Sequence, residues 1–355
     1  MIGERIKRAR TAAGLSLRSA GERAQLSAMA ISKFEREEAT PTSKSLLQLA
    51  RAFNTPVEYF FRPDTVTLSE IKYRKRSTLK VKQLGRIEAD AYDQVERFLE
   101  ILSLFPNPPL TAFENPVRLL EPVSSLDQLE KVALNVRDAW RLGCDAIPNM
   151  ADLLEERGIF VLMTDEDGDS KFDGLAARVD GYPLVVVGAG WPGDRQRFTL
   201  AHELGHLVLG ENLADGIDAE AAANRFAGAF LAPQEAVVTE LGTFRNRIEP
   251  RELYQLKHEF GLSMFAWVYR ARDVGVIAHS TADILMRMFS SKGWRKKEPG
   301  DSYPSERPHL FEQLVMRAFA EQMISISKAA ELMSLSLNEF REELTIENQH
   351  AAAHQ

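Results

Sequence analysis

The 355-residue chain contains a single cysteine, Cys144, so it cannot form an internal disulfide, which fits a reducing compartment. It has no run of about 18 apolar residues that would predict a membrane span. The charged stretch from Ile2 to Arg10 is not followed by the apolar core of a signal peptide. Neither a phosphate-binding glycine loop nor a nucleophile elbow occurs. These absences predict a soluble, cytoplasmic protein that does not enter a membrane.

Charge is distributed unevenly along the chain, although the net charge is only −7. Residues 1–86 hold 18 Lys and Arg against 8 Asp and Glu, whereas the remainder holds 26 against 43. A basic head on an acidic body predicts that only the head meets a polyanion. The length predicts two or more domains.

The most informative feature that is present is a His-Glu-x-x-His motif. His202 and His206 lie four residues apart in an apolar, helix-forming run from Phe198 to Leu209, so both imidazoles share one helix face. Glu203 lies beside them, placed to take a proton from water at a metal ion. This pattern is the signature of a zinc-dependent peptidase. Gly205, between the two histidines, would let another backbone or a substrate approach closely.

The third metal ligand decides the subclass of such a peptidase, because a catalytic zinc site has three protein ligands and one open position. A metzincin would need glycine at position 209 and histidine at 212. The sequence has Leu209 and Asn212 instead, which excludes that class. The alternative is a carboxylate on a second helix.

An Ala-rich segment from Asp218 to Ala227 is the candidate for that second helix. Glu220 and Asn224 share one of its faces, so Glu220 could ligate and Asn224 could hold a ligand in place by a hydrogen bond. Asp215 and Asp218 are competing carboxylates. Glu220 could also be an ordinary surface residue, and spacing alone leaves this choice open.

Together with their flanks, these motifs resemble the ImmA/IrrE family of metallopeptidases over roughly residues 145 to 280. The residues that carry the resemblance are Arg197 to His206, Glu220-x-x-x-Asn224-x-Phe226-Ala227, Leu231-x-Pro233, the segment 151–161 and the strand-like segments 173–176 and 183–187. The resemblance implies one Zn²⁺ per chain on His202, His206 and Glu220, with Glu203 as the base. It also implies regulated, narrow cleavage of a DNA-binding repressor.

The basic head, residues 3–61, has apolar positions at helical spacing and short breaks between helices. Ser16 caps one short helix, and the next begins at Ser27 after a tight turn. This is a helix-turn-helix arrangement, whose second helix enters the major groove of DNA. The segment is similar to the phage-repressor (XRE) class, including its ending from Pro56 to Phe61.

The XRE resemblance assigns DNA contacts residue by residue. It places Arg18 near phosphate, and it places on the groove-facing side Ser27, Ala28, Met29, Ser32 and Lys33. Because Ala28 and Met29 offer no hydrogen bonds to base edges, little direct readout is expected. Affinity would come from phosphate contacts, for which the candidates are Arg5, Lys7, Arg18, Lys44 and Arg51.

Two features of the head leave its role open. Glu37 stands where the class usually has a glycine after the recognition helix, so a reshaped turn is expected there. The alternative to DNA binding is a domain that binds or dimerises with protein.

The segments around the peptidase-like region are less informative. Residues 66–79 read as a basic, strand-like segment that contains Tyr73-Arg74-Lys75-Arg76, and residues 81–104 as a long amphipathic helix for packing or a dimer seam. A proline-rich linker over residues 106–122 precedes two helices at 126–142 and 147–156. His279 could polarise a scissile carbonyl, although a structural role is the more common one, and Arg197 and Tyr254 have no assigned role.

The sequence thus predicts a mainly α fold with a small α+β zincin-like core and an all-α helix-turn-helix domain. The predicted regions are a DNA-binding domain at 1–63, a basic segment, helix and linker at 64–125, a metallopeptidase domain at 126–280, a helical region for partner recognition at 281–347, and a disordered tail at 348–355. The predicted function is a DNA-binding regulator that hydrolyses a repressor-like partner, with a possible homodimer. The alternative is a non-proteolytic regulator or antitoxin that binds DNA and a toxin partner and uses zinc only as a sensor.

Overall fold

Residues from three stretches of the chain form the first of two structural units in a computed structural model. The first unit contains Met1–Ser69, Thr78–Thr111 and His309–Gln355, and the second contains Glu70–Ser77 and Ala112–Pro308. The structure describes residues 2–62, 68–73, 81–107, 109–164, 172–179 and 181–353.

Four short helices build the N-terminal part of the first unit, as the spacing of apolar residues predicts. They are α1 (Ile2–Ala12), α2 (Leu17–Ala24), α3 (Ala28–Glu35) and α4 (Ser43–Phe53), followed by a 3₁₀ helix at Val57–Phe61. Hydroxyl side chains cap three of them: Ser16, Ser27 and Thr42 accept hydrogen bonds from backbone N–H groups of the first turns. Ile6, Ile31 and Leu49 are fully buried and join the helices in one core.

The turn after α3 lacks the usual glycine, and Glu37 stands in its place. Glu37 adopts a left-handed backbone conformation with φ +59°, the conformation that glycine accommodates most easily. Its side chain accepts a hydrogen bond from the backbone N–H of Gly3 at 3.3 Å. Gly3 allows this approach, since a Cβ there would lie 2.5 Å from the carbonyl oxygen of Phe34. The contact to α1 therefore compensates for the strained turn.

After this core come the strand β1 (Leu68–Tyr73) and the long helix α5 (Val81–Ser103). The sequence predicts the bounds of α5 to within one residue, whereas β1 is shorter than the predicted strand-like segment at 66–79. Of the predicted basic segment, Arg74 to Arg76 lie outside the described residues. The apolar face of α5, including Ala91, Val95 and Phe98, is buried. Of the two alternatives for this face, packing within its own unit accounts for the burial.

An ion-pair cluster joins α5 to α1 and corrects one predicted DNA contact. Arg5 is 1% exposed and pairs with the carboxylate of Glu96, which also accepts a hydrogen bond from Arg8 at 3.0 Å. A buried guanidinium with a carboxylate partner cannot reach DNA phosphate. Arg5 is thus a structural residue, and a sequence pattern alone could not show that Glu96 would meet it.

The second unit begins with the helices α6 (Gln128–Ala139) and α7 (Met150–Glu156), close to the two predicted helices, and continues into a small sheet. Its strands are β2 (Phe160–Thr164), β3 (Gly174–Val179) and β4 (Tyr182–Gly188). β4 pairs in parallel with β2, with Phe160 opposite Leu184, and antiparallel with β3, with Gly174 opposite Val187. The order of the sheet is β1-β3-β4-β2. The apolar run of β4 is buried on both faces, as expected for a central strand.

Helices supply most of the rest of this unit. They are α8 (Gly193–Leu209), α9 (Ala219–Leu231), α10 (Gln234–Leu241), α11 (Pro250–Phe260), α12 (Met264–Asp273) and α13 (His279–Ser291). One large hydrophobic core, which includes Leu200, Phe226 and Trp267, connects these helices to the sheet. The architecture is the predicted mainly α fold with a small sheet.

The C-terminal helices belong to the first unit. They are α14 (Leu310–Ala320), α15 (Ile326–Leu332) and α16 (Leu337–Ala353), and Lys328 of α15 forms an ion pair with Glu100 of α5 at 2.6 Å. The helix α16 runs through Ala353, whereas the sequence predicts a disordered tail from residue 348. The run Ala351-Ala352-Ala353 explains the difference, because alanine has the highest helix propensity. Within the described residues, no helix is long and apolar enough to cross a membrane.

Replacing Glu96 by alanine is expected to lower the free energy of unfolding of the first unit by about 3–5 kcal/mol, because Arg5 would remain buried without a carboxylate partner. Glu100→Ala is the matched control on the same helix, where the loss of the half-exposed pair with Lys328 should cost below about 1 kcal/mol. Urea unfolding followed by circular dichroism measures both variants. Equal stability of the two variants would contradict a structural role for the Arg5–Glu96 pair.

Candidate metal centre

The helix α8 carries the His-Glu-x-x-His motif through the interior of the second unit. It begins five residues earlier than the predicted Phe198, directly after Pro192, and ends at the predicted Gly210, whose φ is +52°. Its residues are buried on nearly all sides rather than along one stripe, because the sheet and other helices surround it. Such a helix holds the motif in a rigid setting.

Three side chains that bind zinc in other proteins converge at this helix. His202 and His206 are one turn apart, and their Nε2 atoms are 3.1 Å from each other. Glu220 of α9 brings its carboxylate to both, with 3.4 Å from Oε2 to His202 Nε2 and 3.4 Å from Oε1 to His206 Nε2. His202 is 1% exposed, whereas the side chains of His206 and Glu220 are 35% and 62% exposed. The cluster is therefore anchored inside and open to solvent on one side.

The spacing of these atoms fits a zinc ion. With bond lengths of about 2.0–2.1 Å and tetrahedral angles, neighbouring ligand atoms should be about 3.3 Å apart, and the three measured separations are 3.1–3.4 Å. Two imidazoles and one carboxylate are also a ligand set that zinc prefers, and they leave a fourth position open. The residues present thus fit the ion that the sequence motif implies.

Asn224 holds the buried histidine in the orientation that a ligand needs. Its Oδ1 lies 3.0 Å from His202 Nδ1. A proton on Nδ1 would donate to this oxygen and would leave the lone pair of Nε2 for a metal. Asn224 is one helical turn after Glu220 on α9. The spacing of four residues predicts this placement on one helix face, and a role of Asn224 in supporting metal ligands stays a prediction.

A close approach between α8 and α9 brings Glu220 to the histidines. At Gly205 an added Cβ would lie 3.0 Å from Phe226 Cδ1 and 3.3 Å from Ala223 Cα. Of the two sequence-based interpretations of Gly205, the structure shows the approach of another backbone. A bulkier residue there would push α9 away from the motif.

Arg225 and Arg270 fix the position of α9 through ion pairs that the sequence alone does not predict. Arg225 pairs with Asp273 at 2.8 Å and with Glu130 at 3.1 Å. Arg270 pairs with Glu130 at 2.6 Å and donates to the carbonyl oxygen of Ala232 at 3.0 Å. Together they connect α6, α9 and α12. In the sequence they can be recognised only as arginines within apolar helices. Their partner Glu130 lies far away along the chain.

The beginning of α8 is fixed by a second group of charges. Lys257 is buried, with its Nζ 3.8 Å from Asp194 and 3.1 Å from Glu298. Burial raises the pKa of the Asp194 carboxyl, and the positive charge of Lys257 opposes that shift. Glu298 also accepts the backbone N–H of Met264 and of Phe265, so these charges connect α8 to the first turn of α12.

The structure separates the candidate carboxylates by position. Asp218 is the N-cap of α9 and accepts the N–H of Ala221 at 2.7 Å. Asp215 lies in the preceding turn, and neither aspartate belongs to the group of His202, His206 and Glu220 whose ligand atoms approach within 4.8 Å. Glu203 follows His202 on α8 and is 7% exposed. Its role as base remains a prediction.

The remaining candidates of the sequence lie outside this cluster. His279 is an exposed residue in the first turn of α13. Arg197 is completely buried, pairs with Glu306 at 2.6 Å and donates to the carbonyl oxygen of Ile147 at 2.5 Å. The hydroxyl of Tyr254 accepts the backbone N–H of Asp301 at 3.3 Å. The contacts of Arg197 and Tyr254 are structural.

In the first unit, α3 presents the residues predicted to face DNA. Met29 is 69% exposed and Lys33 is exposed, while Ser32 is half-buried on the same helix. The side chain of Ser27 accepts the N–H of Ala30 at 3.0 Å, so it serves first as a helix cap. Outside α3, the exposed Arg18 pairs with Glu22 on its own helix, α2, at 3.2 Å. A surface with one lysine and few hydrogen-bonding groups favours limited readout of bases.

Comparison with known families agrees with both resemblances. Residues 154–272 match the model of the IrrE N-terminal-like domain of peptidase family M78, and residues 6–60 match a helix-turn-helix model. A search of curated proteins gives no match. The resemblances found in the sequence are thereby confirmed. The chain combines a helix-turn-helix domain of a DNA-binding class with a domain similar to metallopeptidases.

Replacing Glu220 by alanine is expected to leave less than about a tenth of the zinc bound after dialysis, because two ligands on one helix do not complete a site. Asp215→Ala is the matched control and should retain about one zinc per chain. Elemental analysis of the purified, zinc-loaded variants measures this. Equal zinc in both variants would remove Glu220 from the ligand set.

Replacing Gly205 by valine is expected to weaken zinc binding about tenfold or more, because the new side chain displaces α9 and its carboxylate. Gly190→Val is the control, since a Cβ at Gly190 meets no atom within 4 Å. Competition with a chelating dye measures the zinc affinity of both. Unchanged affinity in Gly205→Val would show that the close helix contact does not position Glu220.

Proposed function

We propose that this protein is a DNA-binding transcriptional regulator whose second unit is a zinc-dependent endopeptidase. The observation that carries the proposal is the convergence of His202, His206 and Glu220 on α8 and α9, with Glu203 adjacent on α8. The match to an IrrE-like domain supports the same class of activity. The proposed substrate is a repressor-like partner protein, and cleavage would release transcription.

The residues of the site would divide the chemistry of hydrolysis among them. His202, His206 and Glu220 would hold a zinc ion, which would supply the Lewis acidity needed to polarise a carbonyl group and acidify water. Glu203 takes a proton from the attacking water and delivers it to the nitrogen of the leaving amine. Asn224 keeps His202 oriented by the hydrogen bond at 3.0 Å. The solvent-exposed side, at His206 and Glu220, is where a peptide would enter.

The N-terminal helices would supply the DNA-binding half of this function. The match to a helix-turn-helix model supports binding to double-stranded DNA, and the excess of basic residues over positions 1–86 supports an electrostatic contribution to it. We propose α3 as the helix that enters the major groove, with Met29 and Lys33 exposed on it. As a regulator of transcription the protein would act in the cytoplasm, and we propose a homodimer, because operators of helix-turn-helix repressors are commonly two-fold symmetric.

Replacing Glu203 by glutamine is expected to leave zinc and DNA binding unchanged and to reduce hydrolysis of an unfolded test protein by at least about 100-fold. The exchange keeps the size of the side chain and removes its capacity to accept a proton. Hydrolysis is measured by fragment mass spectrometry in the presence of zinc. Release of transcription that survives in Glu203→Gln would instead favour the regulator or antitoxin without proteolysis.

Replacing Lys33 by alanine is expected to weaken binding to a DNA duplex and to lower the slope of log affinity against log salt by about one. Lys131→Ala, an exposed lysine of α6 in the second unit, is the control and should bind like the wild type. Fluorescence anisotropy over a range of salt concentrations measures both. Absence of binding by the wild type at low salt would contradict the DNA-binding role.

A further inference from the structure

The end of α13 and the turn that follows it carry a run of positive charge in the second unit. Residues 287–297 contain five basic residues and no acidic residue, although the chain beyond residue 86 holds 43 acidic against 26 basic residues. All five side chains are exposed, and they form what is called here the α13 basic surface: Arg287, Lys292, Arg295, Lys296 and Lys297. The acidic body of the chain thus contains a local basic surface that its overall charge does not predict.

Carboxylates of the protein do not neutralise this surface. Among the residues that the structure describes, none forms an ion pair with any of the five side chains. Arg287 donates from Nε to the backbone carbonyl oxygen of Asp283 at 3.2 Å. The next acidic residue along the chain, Glu298, points inward: its side chain is 11% exposed, and its carboxylate pairs with the buried Lys257 at 3.1 Å. The five positive charges are therefore available to an anion from solution.

Aromatic rings hold two of these cations in place. Lys292 Nζ lies 4.5 Å from the centre of the Trp294 ring, and Arg295 Cζ lies 5.1 Å from the centre of the Phe265 ring. The buried ring of Phe289 contacts both aromatic residues, with centroid distances of 5.4 Å to Trp294 and 6.1 Å to Phe265. Because these contacts already restrict the two side chains, less conformational entropy is lost when the cations bind a ligand.

A tight turn adds two lysines next to these groups. The backbone N–H groups of Lys296 and Lys297 both donate to the carbonyl oxygen of Gly293, at 3.1 and 3.3 Å. Gly293 makes the turn with a left-handed φ of +71°. Four of the five cations consequently lie within the six residues from 292 to 297. Such a concentration of charge suits a ligand that has several neighbouring negative groups.

We propose that the α13 basic surface binds the phosphate backbone of double-stranded DNA. This inference goes beyond the proposed function, which assigns the DNA contacts to α3. Lysine and arginine contact phosphate without reading bases, so the surface would add affinity without sequence preference. The net negative charge of the chain does not prevent such binding. At physiological salt, charges are screened beyond about 8 Å, so a phosphate close to the surface interacts mainly with the five nearby cations.

The side chains of this surface suit DNA better than an anionic membrane. Helices that bind membranes insert apolar side chains between the lipids. Here the rings of Phe265 and Trp294 lie against cations and are only partly exposed. Along α13, which the structure describes completely, Ile284 is the one large apolar side chain that is exposed. The chain also matches a helix-turn-helix model, which supports an encounter with double-stranded DNA.

The first test reverses charge in the full-length protein. The double variant Lys296→Glu and Lys297→Glu is expected to bind a labelled DNA duplex about tenfold more weakly at low salt, with the slope of log affinity against log salt lowered by about two. These two lysines do not stack on aromatic rings, so the fold should be retained, and circular dichroism checks this. The matched control, Lys131→Glu with Arg141→Glu, changes exposed residues of the same unit by the same net charge and should bind within about twofold of the wild type. Fluorescence anisotropy measures all three proteins.

A second measurement locates the contact in the unmodified chain. Lysine acetylation, followed by mass spectrometry with and without the duplex, reports which ammonium groups the DNA covers. The duplex is expected to slow acetylation of Lys292, Lys296 and Lys297 by about fivefold or more and to leave Lys131 unchanged, because a phosphate contact shields an ammonium group from the reagent. Protection of Lys33 in the same sample would report the contact of α3.

The outcomes separate this inference from the proposed function. If the wild type binds the duplex, but the Lys296 and Lys297 variant binds like the control and its lysines are not protected, the inference is overturned and DNA binding through α3 stands. If the variant loses binding only to vesicles that contain phosphatidylserine, the surface belongs to a membrane contact and the inference is overturned as well. If the wild type binds no duplex at low salt, the inference and the DNA-binding part of the proposed function both fail.

Discussion

The contact between α8 and α9 at Gly205 is the constraint on which the candidate metal centre depends. Helices normally pack with their axes 8–10 Å apart, and a glycine facing Ala223 lets these two approach closely. Only this approach brings the Glu220 carboxylate within 3.4 Å of both histidines. The close packing of the two helix backbones therefore forms the site. No additional loop is needed to bring the side chains on its solvent-exposed side together.

The surrounding fold holds both helices in this position. The sheet and the hydrophobic core enclose α8, and the Asp194–Lys257–Glu298 group fixes its beginning. Arg225 and Arg270 fix α9 through Glu130. These ion pairs are buried or nearly so, and removing one partner of such a pair is costly because the other charge stays desolvated. Rigid support of this kind is what a preorganised metal site requires.

Local patterns in the sequence are sufficient to predict the helices and strands that surround the motif. They also predict that His202 and His206 lie side by side on one helix face. They also identify Glu220 and Asn224 as neighbours on one face, because helical spacing fixes it. They do not show that Arg5 is buried against Glu96 or that Glu37 adopts a left-handed conformation, since both depend on residues distant along the chain. The ion pairs of Arg225 and Arg270, which fix α9, could not be predicted for the same reason.

The central claim is that two imidazoles and one carboxylate of this chain hold a zinc ion with a position left open. X-ray absorption spectroscopy at the zinc edge of the loaded protein tests it most directly. The account predicts four light-atom ligands at about 2.0 Å, with the multiple-scattering signature of two imidazoles. Coordination by oxygen atoms alone, or by sulfur from Cys144, would contradict it.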